Sequence, residues 1–205
     1  HSGKIVRTIS KETGLQDNTA WYLYVDNSKN IWMALNNGIS YSPFHSQLTS
    51  WTEQDGISGV IQSAVNFKGT IYYSSNTGVH VKTNSHFERV SGINDLAWGL
   101  FIYTDESGKE HLLSGTANGI YRIEGERAIP VTSIKVNAYS FIKSRIYPGI
   151  LYVGLYDGVG VLQENRGVFT FLGYLYSSSS EVYKVTEDKN GDVWFTQRYK
   201  GIGFL

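Results

Sequence analysis

Short stretches of alternating apolar and polar residues run along the whole chain, and turns rich in glycine, asparagine and aspartate separate them. Alternation with a period of two is typical of strands that bury one face. Long segments with the 3.6-residue period of an amphipathic helix do not occur. Aromatic residues make up 14% of the chain, which has 22 Gly and only 3 Pro, and this composition also favours strands joined by tight turns. The pattern therefore predicts an all-β protein.

One motif recurs five times along the chain: an apolar strand, a small polar turn, and a glycine followed by an aliphatic residue. Its copies read NIWMALNNGISYS, TIYYSSNTGVHVK, HLLSGTANGIYRI, ILYVGLYDGVGVL and DVWFTQRYKGIGFL. The motif glycines, which are about 40 residues apart, are Gly38, Gly78, Gly119, Gly158 and Gly201. A period of about 40–45 residues with several strands in each unit is the signature of a β-propeller.

We predict a single β-propeller domain over residues 1–205, built from five four-stranded blades. Each blade has an inner strand, a second strand with an aromatic residue, a third strand after the motif glycine, and an outer fourth strand. The repeats cover about 15–56, 57–92, 93–134, 135–173 and 174–205, with segment 4–10 added to the last.

The two ends of the chain suggest how the ring of blades closes. The last repeat stops after its third strand, and segment 4–10 with the residues that follow it matches the exit of the first repeat, 48–57. We therefore predict that the N-terminal strand completes the last blade, which would remove two exposed sheet edges. The alternative is that the five blades belong to a larger ring.

Residues of similar type that recur at the same position in several repeats indicate the core. Second-strand aromatics are predicted to pack between neighbouring blades, and these are Trp32, Tyr72, Tyr152 and Trp194. A line of apolar inner-strand residues is also predicted to be buried: Leu23, Val65, Ile102, Ile142 and Val185. Small second-strand residues would let sheets approach closely, namely Ala34, Gly115 and Gly154.

Charge and composition exclude several functional classes. Lys plus Arg and Asp plus Glu both total 18, so the formal charge is zero and no basic field exists to hold a nucleic acid. Cysteine is absent, which excludes disulfides, thiolate metal sites and a cysteine nucleophile. No apolar run is long enough to span a bilayer, and we predict no direct membrane insertion.

The sequence contains no convergent catalytic constellation, and we predict neither catalytic residues nor a cofactor. None of the five histidines has metal-ligand spacing, and His80 and His86, which flank a hairpin, are predicted to face water. The pairs Asp105-Glu106 and Glu187-Asp188 end inner strands, where turns favour aspartate. A pocket that raised one of their pKa values would be needed to make a general acid.

A propeller binds ligands mainly at one mouth of its channel, where inner-strand entries meet the turns between second and third strands. That rim is aromatic and rich in amides, with few net charges. Aromatic faces can stack on sugars while amides and carboxylates bind hydroxyls, so the rim suits a neutral polyhydroxy ligand. The candidate ligand-binding residues are Asn18, Trp21, Asn37, Asn76, Trp98, Asn118, Tyr139, Asp157, Tyr183 and Arg198.

The first repeat, GLQDNTAW followed by LYVD and NIWMALNNGI, resembles the two-component regulator propeller repeat. The fifth repeat, with VTED and GDVWFT, is also similar, whereas the middle three carry Tyr72, Leu112 or Tyr152 at the tryptophan position. The resemblance implies a periplasmic sensor region of a hybrid two-component system that responds to a glycan. It implies neighbouring propeller or sensor domains as partners, and a homodimer is compatible with such a module.

Two other classes stay open. A lectin-like or protein-interaction propeller would need no signalling partner, but its pockets should repeat from blade to blade. A sialidase-like glycosidase would need an Asp-box, Ser-x-Asp-x-Gly-x-x-Trp, which segment 188–194 only echoes with the wrong spacing. We therefore expect a noncatalytic recognition module with an oligosaccharide ligand.

Overall fold

A computed structural model describes residues 3, 5, 8–43 and 51–205, and its strands form five antiparallel sheets. The prediction of an all-β fold is therefore confirmed. By its internal contacts the chain divides into two compact units, His1–Ser50 (unit 1) and Trp51–Leu205 (unit 2).

Unit 1 contains sheet 1, in which three strands pair in chain order. A single 3₁₀ turn, Lys11–Thr13, precedes it and ends at Gly14, whose φ of 114° is in the left-handed region. The strands are β1 (Ala20–Val25), β2 (Ile31–Leu35) and β3 (Gly38–Ser42).

Unit 2 contains the other four sheets, each a meander of strands that pair in chain order, after a 3₁₀ turn at Glu53–Asp55. Sheet 2 consists of β4 (Ile61–Phe67), β5 (Thr70–Ser75), β6 (Gly78–Lys82) and β7 (Phe87–Arg89). Sheet 3 consists of β8 (Ala97–Thr104), β9 (Glu110–Thr116), β10 (Gly119–Glu124) and β11 (Arg127–Pro130). Sheet 4 consists of β12 (Ala138–Lys143), β13 (Ile150–Leu155), β14 (Gly158–Asn165) and β15 (Val168–Ser177). Sheet 5 consists of β16 (Val182–Glu187), β17 (Val193–Gln197) and β18 (Gly201–Phe204).

Sheets 2, 3 and 4 have the predicted four strands, and sheets 1 and 5 show three in the described residues. Residues 48–50 of the fourth strand predicted for the first repeat, 48–52, lie outside the described residues, as do residues 4, 6 and 7 of the closing strand predicted at 4–10. The described residues of these two segments are not in strands. The single domain over 1–205 and the closed five-blade ring therefore stay predictions.

The core of unit 2 lies between successive sheets. Sheets 2 and 3 bury Tyr72 against Leu112 and Ile123, and sheets 4 and 5 bury Tyr152 against Val185 and Phe195. The two tyrosines are each 5% exposed, which confirms their predicted packing between sheets. The partly buried side chains of Val65, Ile102 and Ile142 pack against the same clusters, as predicted.

Two predicted core tryptophans and one predicted core leucine are not buried. Trp32 is 42% exposed and Trp194 is 37% exposed, because no other sheet of the same unit covers these faces of sheets 1 and 5. Each indole instead packs on its own sheet, with ring centroids 4.7 Å from Tyr41 and 4.8 Å from Phe204 respectively. Leu23 is 61% exposed for the same reason, since the described residues of unit 1 form one sheet.

His80 is also placed differently from the prediction that it faces water. Its side chain is only 5% exposed and stacks on Tyr73, with ring centroids 4.5 Å apart and planes 6° apart. Burial, and then the positive charge of Arg89, lower the pKa of His80. His86, at the other end of the same hairpin, is exposed as predicted and lies 3.3 Å from Glu88.

An aspartate organises the first turn of three sheets in the same way. Asp26, Asp105 and Asp188 each end or follow a first strand, and each carboxylate accepts backbone N–H groups two and four residues later. A ring nitrogen six residues later completes each set. These carboxylates are therefore occupied by turn formation, as the sequence favoured, and their pKa values are lowered by the hydrogen bonds they accept.

Two glycines in the second strands let neighbouring sheets approach at backbone distance. A Cβ at Gly154 would lie 2.5 Å from the Val182 carbonyl oxygen, and one at Gly115 would collide with the Ala138 carbonyl oxygen. Both contacts join the second strand of one sheet to the first strand of the next. The predicted role of Gly115 and Gly154 in close sheet approach is confirmed.

We expect Gly154→Ala to lower the free energy of unfolding by about 1–3 kcal/mol, because the new methyl group meets a backbone oxygen that cannot rotate away. Urea unfolding followed by tryptophan fluorescence measures the change. Gly99→Ala is the matched control in a first strand, because its Cβ would meet only the Tyr139 carbonyl oxygen at an ordinary 3.4 Å. Equal stability of the two variants would contradict the close-approach role.

We also expect Asp105→Asn to remove part of the acid sensitivity of folding. The hydroxyl of Ser107 and then the ring of His111 hold the pKa of Asp105 below its usual value. A depressed carboxyl pKa stabilises the fold above its unfolded value of about 4 and loses that contribution as pH falls further. The difference in unfolding free energy between the wild type and Asp105→Asn should therefore be full near pH 6 and shrink below about pH 4.

Urea titrations at several pH values test this expectation, with Glu110→Gln as the control for removal of an exposed carboxyl from the neighbouring strand. A difference between wild type and Asp105→Asn that stays constant from neutral to acid pH would show that the carboxyl charge is not what matters.

Candidate recognition site

The first strand of every sheet carries an irregularity near its start. The register shifts by one residue in each pairing with the second strand, so that one residue has no partner across the ladder. Such a β-bulge redirects the side chain of the extra residue. The residues at the five shifts are Trp21, Gln62, Trp98, Tyr139 and Tyr183.

Three of these bulge residues form a continuous row in unit 2, which we call the aromatic arc (Trp98, Tyr139, Tyr183). The ring centroids of Trp98 and Tyr139 are 5.0 Å apart, as are those of Tyr139 and Tyr183, and both pairs meet edge to face. Trp98 and Tyr139 are partly buried, and Tyr183 is 38% exposed. The arc thus combines fixed ring geometry with access from solvent.

The glycine contacts between sheets lie next to two members of the arc. Ala138 and Val182, whose carbonyl oxygens lie against Gly115 and Gly154, directly precede Tyr139 and Tyr183. The backbone on the N-terminal side of the bulges at Tyr139 and Tyr183 is therefore held by the sheet before it. This arrangement fixes where the redirected side chains begin.

Polar groups border the arc. The indole N–H of Trp98 donates to the Asn137 side-chain oxygen at 3.1 Å, which orients the ring. Beyond the arc, the Arg198 guanidinium donates to the Glu181 carboxylate at 2.9 Å and lies over the ring of Tyr199. Burial, and then the charge of Glu181, raise the pKa of Tyr139 to about 12, so this phenol stays neutral. The site therefore presents aromatic faces beside neutral donors and one ion pair.

Two of three further predicted rim residues of unit 2, Asn76 and Asp157, hold the local structure. The Asn76 side-chain oxygen accepts the N–H of Val60 at 2.7 Å. Asp157 accepts the hydroxyl of Tyr174 at 2.9 Å. Asn118 is exposed in the turn between β9 and β10 and lines a small cavity of about 140 Å³. No contact joins these side chains to the aromatic arc in the described hydrogen bonds or ring pairs.

The remaining predicted residues belong to unit 1. Trp21 is 72% exposed at the bulge of β1. The Asn18 side-chain oxygen accepts the N–H of Lys11 at 2.6 Å, and Asn37 is exposed in the turn between β2 and β3. Asn18 is therefore occupied by a local turn.

The sequence prediction missed two side chains that shape the site. Asn137 and Glu181 stand immediately before the first strands of sheets 4 and 5, where they orient Trp98 and pair with Arg198. The only sequence feature that could have identified them is their position, one residue before a strand that starts with a small or aliphatic residue. Many polar residues share this feature, so it is a weak predictor. Gln62, the bulge residue of sheet 2, lacks the aromatic ring that marked the others.

Neither a metal centre nor a membrane-spanning helix is found over the described residues. No group of three or more His, Asp or Glu side chains in that part of the chain could hold a metal ion. The helical segments described there are too short and too polar to cross a membrane.

Comparison with known proteins shows a shared fold at low sequence identity. No family model matches the chain, and no curated protein matches it. Among solved structures, it is similar to the extracellular domain of a putative hybrid two-component system from B. thetaiotaomicron, with a TM-score of 0.70 and 17% identity. The match covers 98% of this chain and 29% of that one.

The extracellular domain of a second such system from the same organism gives a TM-score of 0.59 at 19% identity over 93% of this chain and 30% of that one. The computationally designed protein Ika4 gives a TM-score of 0.54 at 14% identity over 74% and 93% of the two chains. This chain therefore spans less than a third of the length of the two bacterial domains, with which it shares its fold.

Proposed function

We propose that this chain is a noncatalytic recognition module in the extracytoplasmic, periplasmic part of a two-component-type sensor that responds to a glycan. The observation that carries the proposal is the aromatic arc with its polar border. The fold likeness to extracellular domains of two putative hybrid two-component systems supports the sensor context. Neighbouring propeller or sensor domains of the same system would be the partners.

The chemistry of the arc suits a neutral sugar. Aromatic rings that meet edge to face leave ring faces and edges that can pack on the C–H groups of a pyranose. The neutral phenol of Tyr139 and the Glu181–Arg198 pair supply donors and acceptors for hydroxyls at the border. With a net charge of zero the chain has no general attraction for a polyanion. We infer an uncharged oligosaccharide as the ligand class.

In this proposal the five sheets are blades of a β-propeller, with segment 4–10 as the strand that closes the ring. The repeat of about 40 residues and the five antiparallel sheets support this architecture. A rigid ring would transmit ligand binding as a change in its packing against neighbouring domains. The contacts with those domains would then differ between the free and the bound state.

A lectin with one equivalent pocket in each blade fits less well. The bulge residues are two tryptophans, two tyrosines and Gln62, so the side chain at this position differs from sheet to sheet. An enzymatic role has no support in Asp105 and Asp188, two of the carboxylates that the sequence singled out, because both are engaged in turns. One nonrepeating recognition site is the function that the described side chains fit best.

We expect a saturable rise in melting temperature when the chain is titrated with the right neutral oligosaccharide from a broad panel, because binding to the native state stabilises it. Tyr139→Ala should weaken the affinity about tenfold, since an aromatic contact contributes about 0.5–1.5 kcal/mol beyond its area. Tyr139→Phe should keep the stacking contribution. Isothermal titration calorimetry measures each affinity.

Tyr147→Ala is the matched control, because Tyr147 is a 55% exposed tyrosine of the same unit outside the arc. Equal loss of affinity in Tyr139→Ala and Tyr147→Ala would contradict the assignment of the arc. A complete absence of response to neutral oligosaccharides would contradict the ligand class.

A further inference from the structure

The fourth strand of sheet 4 differs from the fourth strands of sheets 2 and 3. β15 has ten residues and is the longest described strand, and the order of sheet 4 places it at an edge. The outer strands of sheets 2 and 3, β7 and β11, have three and four residues. A long edge strand offers unpaired backbone groups to another chain unless something blocks it.

The usual protection of an edge by charge or proline is missing from β15. No charged residue occurs between Arg166 and Glu181, and that segment has no proline. By contrast, β7 contains Glu88 and Arg89, while β11 begins with an arginine and ends with a proline. The two short edges thus carry the residues that discourage pairing, and the long edge does not.

The hairpin geometry identifies which backbone groups of β15 face outward. Asn165 and Val168 pair across a two-residue turn, so they form the hydrogen-bonded closing pair. The next pair, Glu164 and Phe169, is then not hydrogen-bonded, and the Glu164 N–H indeed donates to the Gly149 carbonyl oxygen on the other side at 2.7 Å. The N–H and C=O groups of Phe169 therefore point away from the sheet, and those of Phe171 follow the same alternation.

The side chains along this edge complete an apolar, uncharged surface. Val168 is 65% exposed and Leu172 is 56% exposed, with the exposed Thr170 between them on the same face. Register shifts at Leu172 and Leu175 interrupt the ladder, and Leu175 is 45% exposed. The regular part of the edge is therefore the stretch from Val168 to Phe171.

We propose that β15 pairs antiparallel with β15 of a second copy of this chain and joins two molecules through a continuous sheet. An isologous contact brings each residue of the strand opposite a residue of the same strand, so like charges there would repel. The uncharged segment from Gly167 to Ser180 meets this requirement, whereas the charged edges of sheets 2 and 3 do not. Two copies of this strand can therefore pair without bringing like charges opposite each other.

Charge substitutions at the edge test the pairing. Thr170→Lys/Leu172→Lys and Thr170→Glu/Leu172→Glu should each be monomeric by sedimentation velocity at concentrations where the wild type is a dimer. An equimolar mixture of the two variants, distinguished by a fluorescent label, should form dimers again, because opposite charges then face each other. A general loss of folding would not be restored by mixing.

Ile202→Lys is the control, because Ile202 is 72% exposed on β18, the described edge strand of a different sheet. This variant should dimerise as the wild type does. Hydrogen exchange gives a second readout: protection of the Phe169 and Phe171 amides should rise with protein concentration, while the Val168 and Thr170 amides, already bonded within the sheet, should not change.

Three results would overturn the proposal. These are a wild type that stays monomeric at high micromolar concentration, a dimer that survives both charge variants, and a dimer that is lost in Ile202→Lys but kept in the β15 variants.

Discussion

The packing of one sheet on the backbone of the next is the constraint on which the rest of unit 2 depends. Gly115 and Gly154 have no side chain at the points where Ala138 and Val182 present their carbonyl oxygens. A methyl group at either glycine would push the first strand of the following sheet away. Since Tyr139 and Tyr183 follow directly after these contacts, their positions in the aromatic arc are a consequence of sheet packing.

Buried hydrogen bonds strengthen the same junctions. The hydroxyl of Tyr103 in sheet 3 donates to Glu164 of sheet 4 at 3.1 Å, and the hydroxyl of Ser144 donates to Glu187 of sheet 5 at 2.7 Å. Both glutamates are almost fully buried. A buried carboxylate is stable only when donors surround it, so these bonds require a particular register between sheets. Apolar packing holds the sheets together, and the carboxylates select one arrangement.

The proposed ligand recognition and the proposed pairing of two chains use different strands of the fold. The aromatic arc is built from bulges in first strands, where side chains are redirected and several sheets contribute one ring each. The outer strand β15 offers a backbone edge of a single sheet instead. A ligand at the arc would therefore leave the β15 edge free, because the two surfaces use different strands of sheet 4.

Local repetition was sufficient to predict the strands and much of the packing. The motif glycines and the alternating pattern predicted the antiparallel sheets, and the repeat position of Tyr72 and Tyr152 predicted their burial between sheets. The small size of Gly115 and Gly154 predicted close approach. These properties depend on side-chain size and polarity at fixed spacing, which the sequence contains directly.

The tertiary structure alone decided how each repeat position is used. Trp32 and Trp194 share a repeat position with the buried tyrosines, yet they stay exposed because no sheet of their own unit covers them. Trp98, Tyr139 and Tyr183 were predicted separately as rim residues, but only the bulges and the sheet junctions bring their rings into contact. Register shifts and neighbours distant in sequence set these outcomes, and neither is encoded in the local pattern.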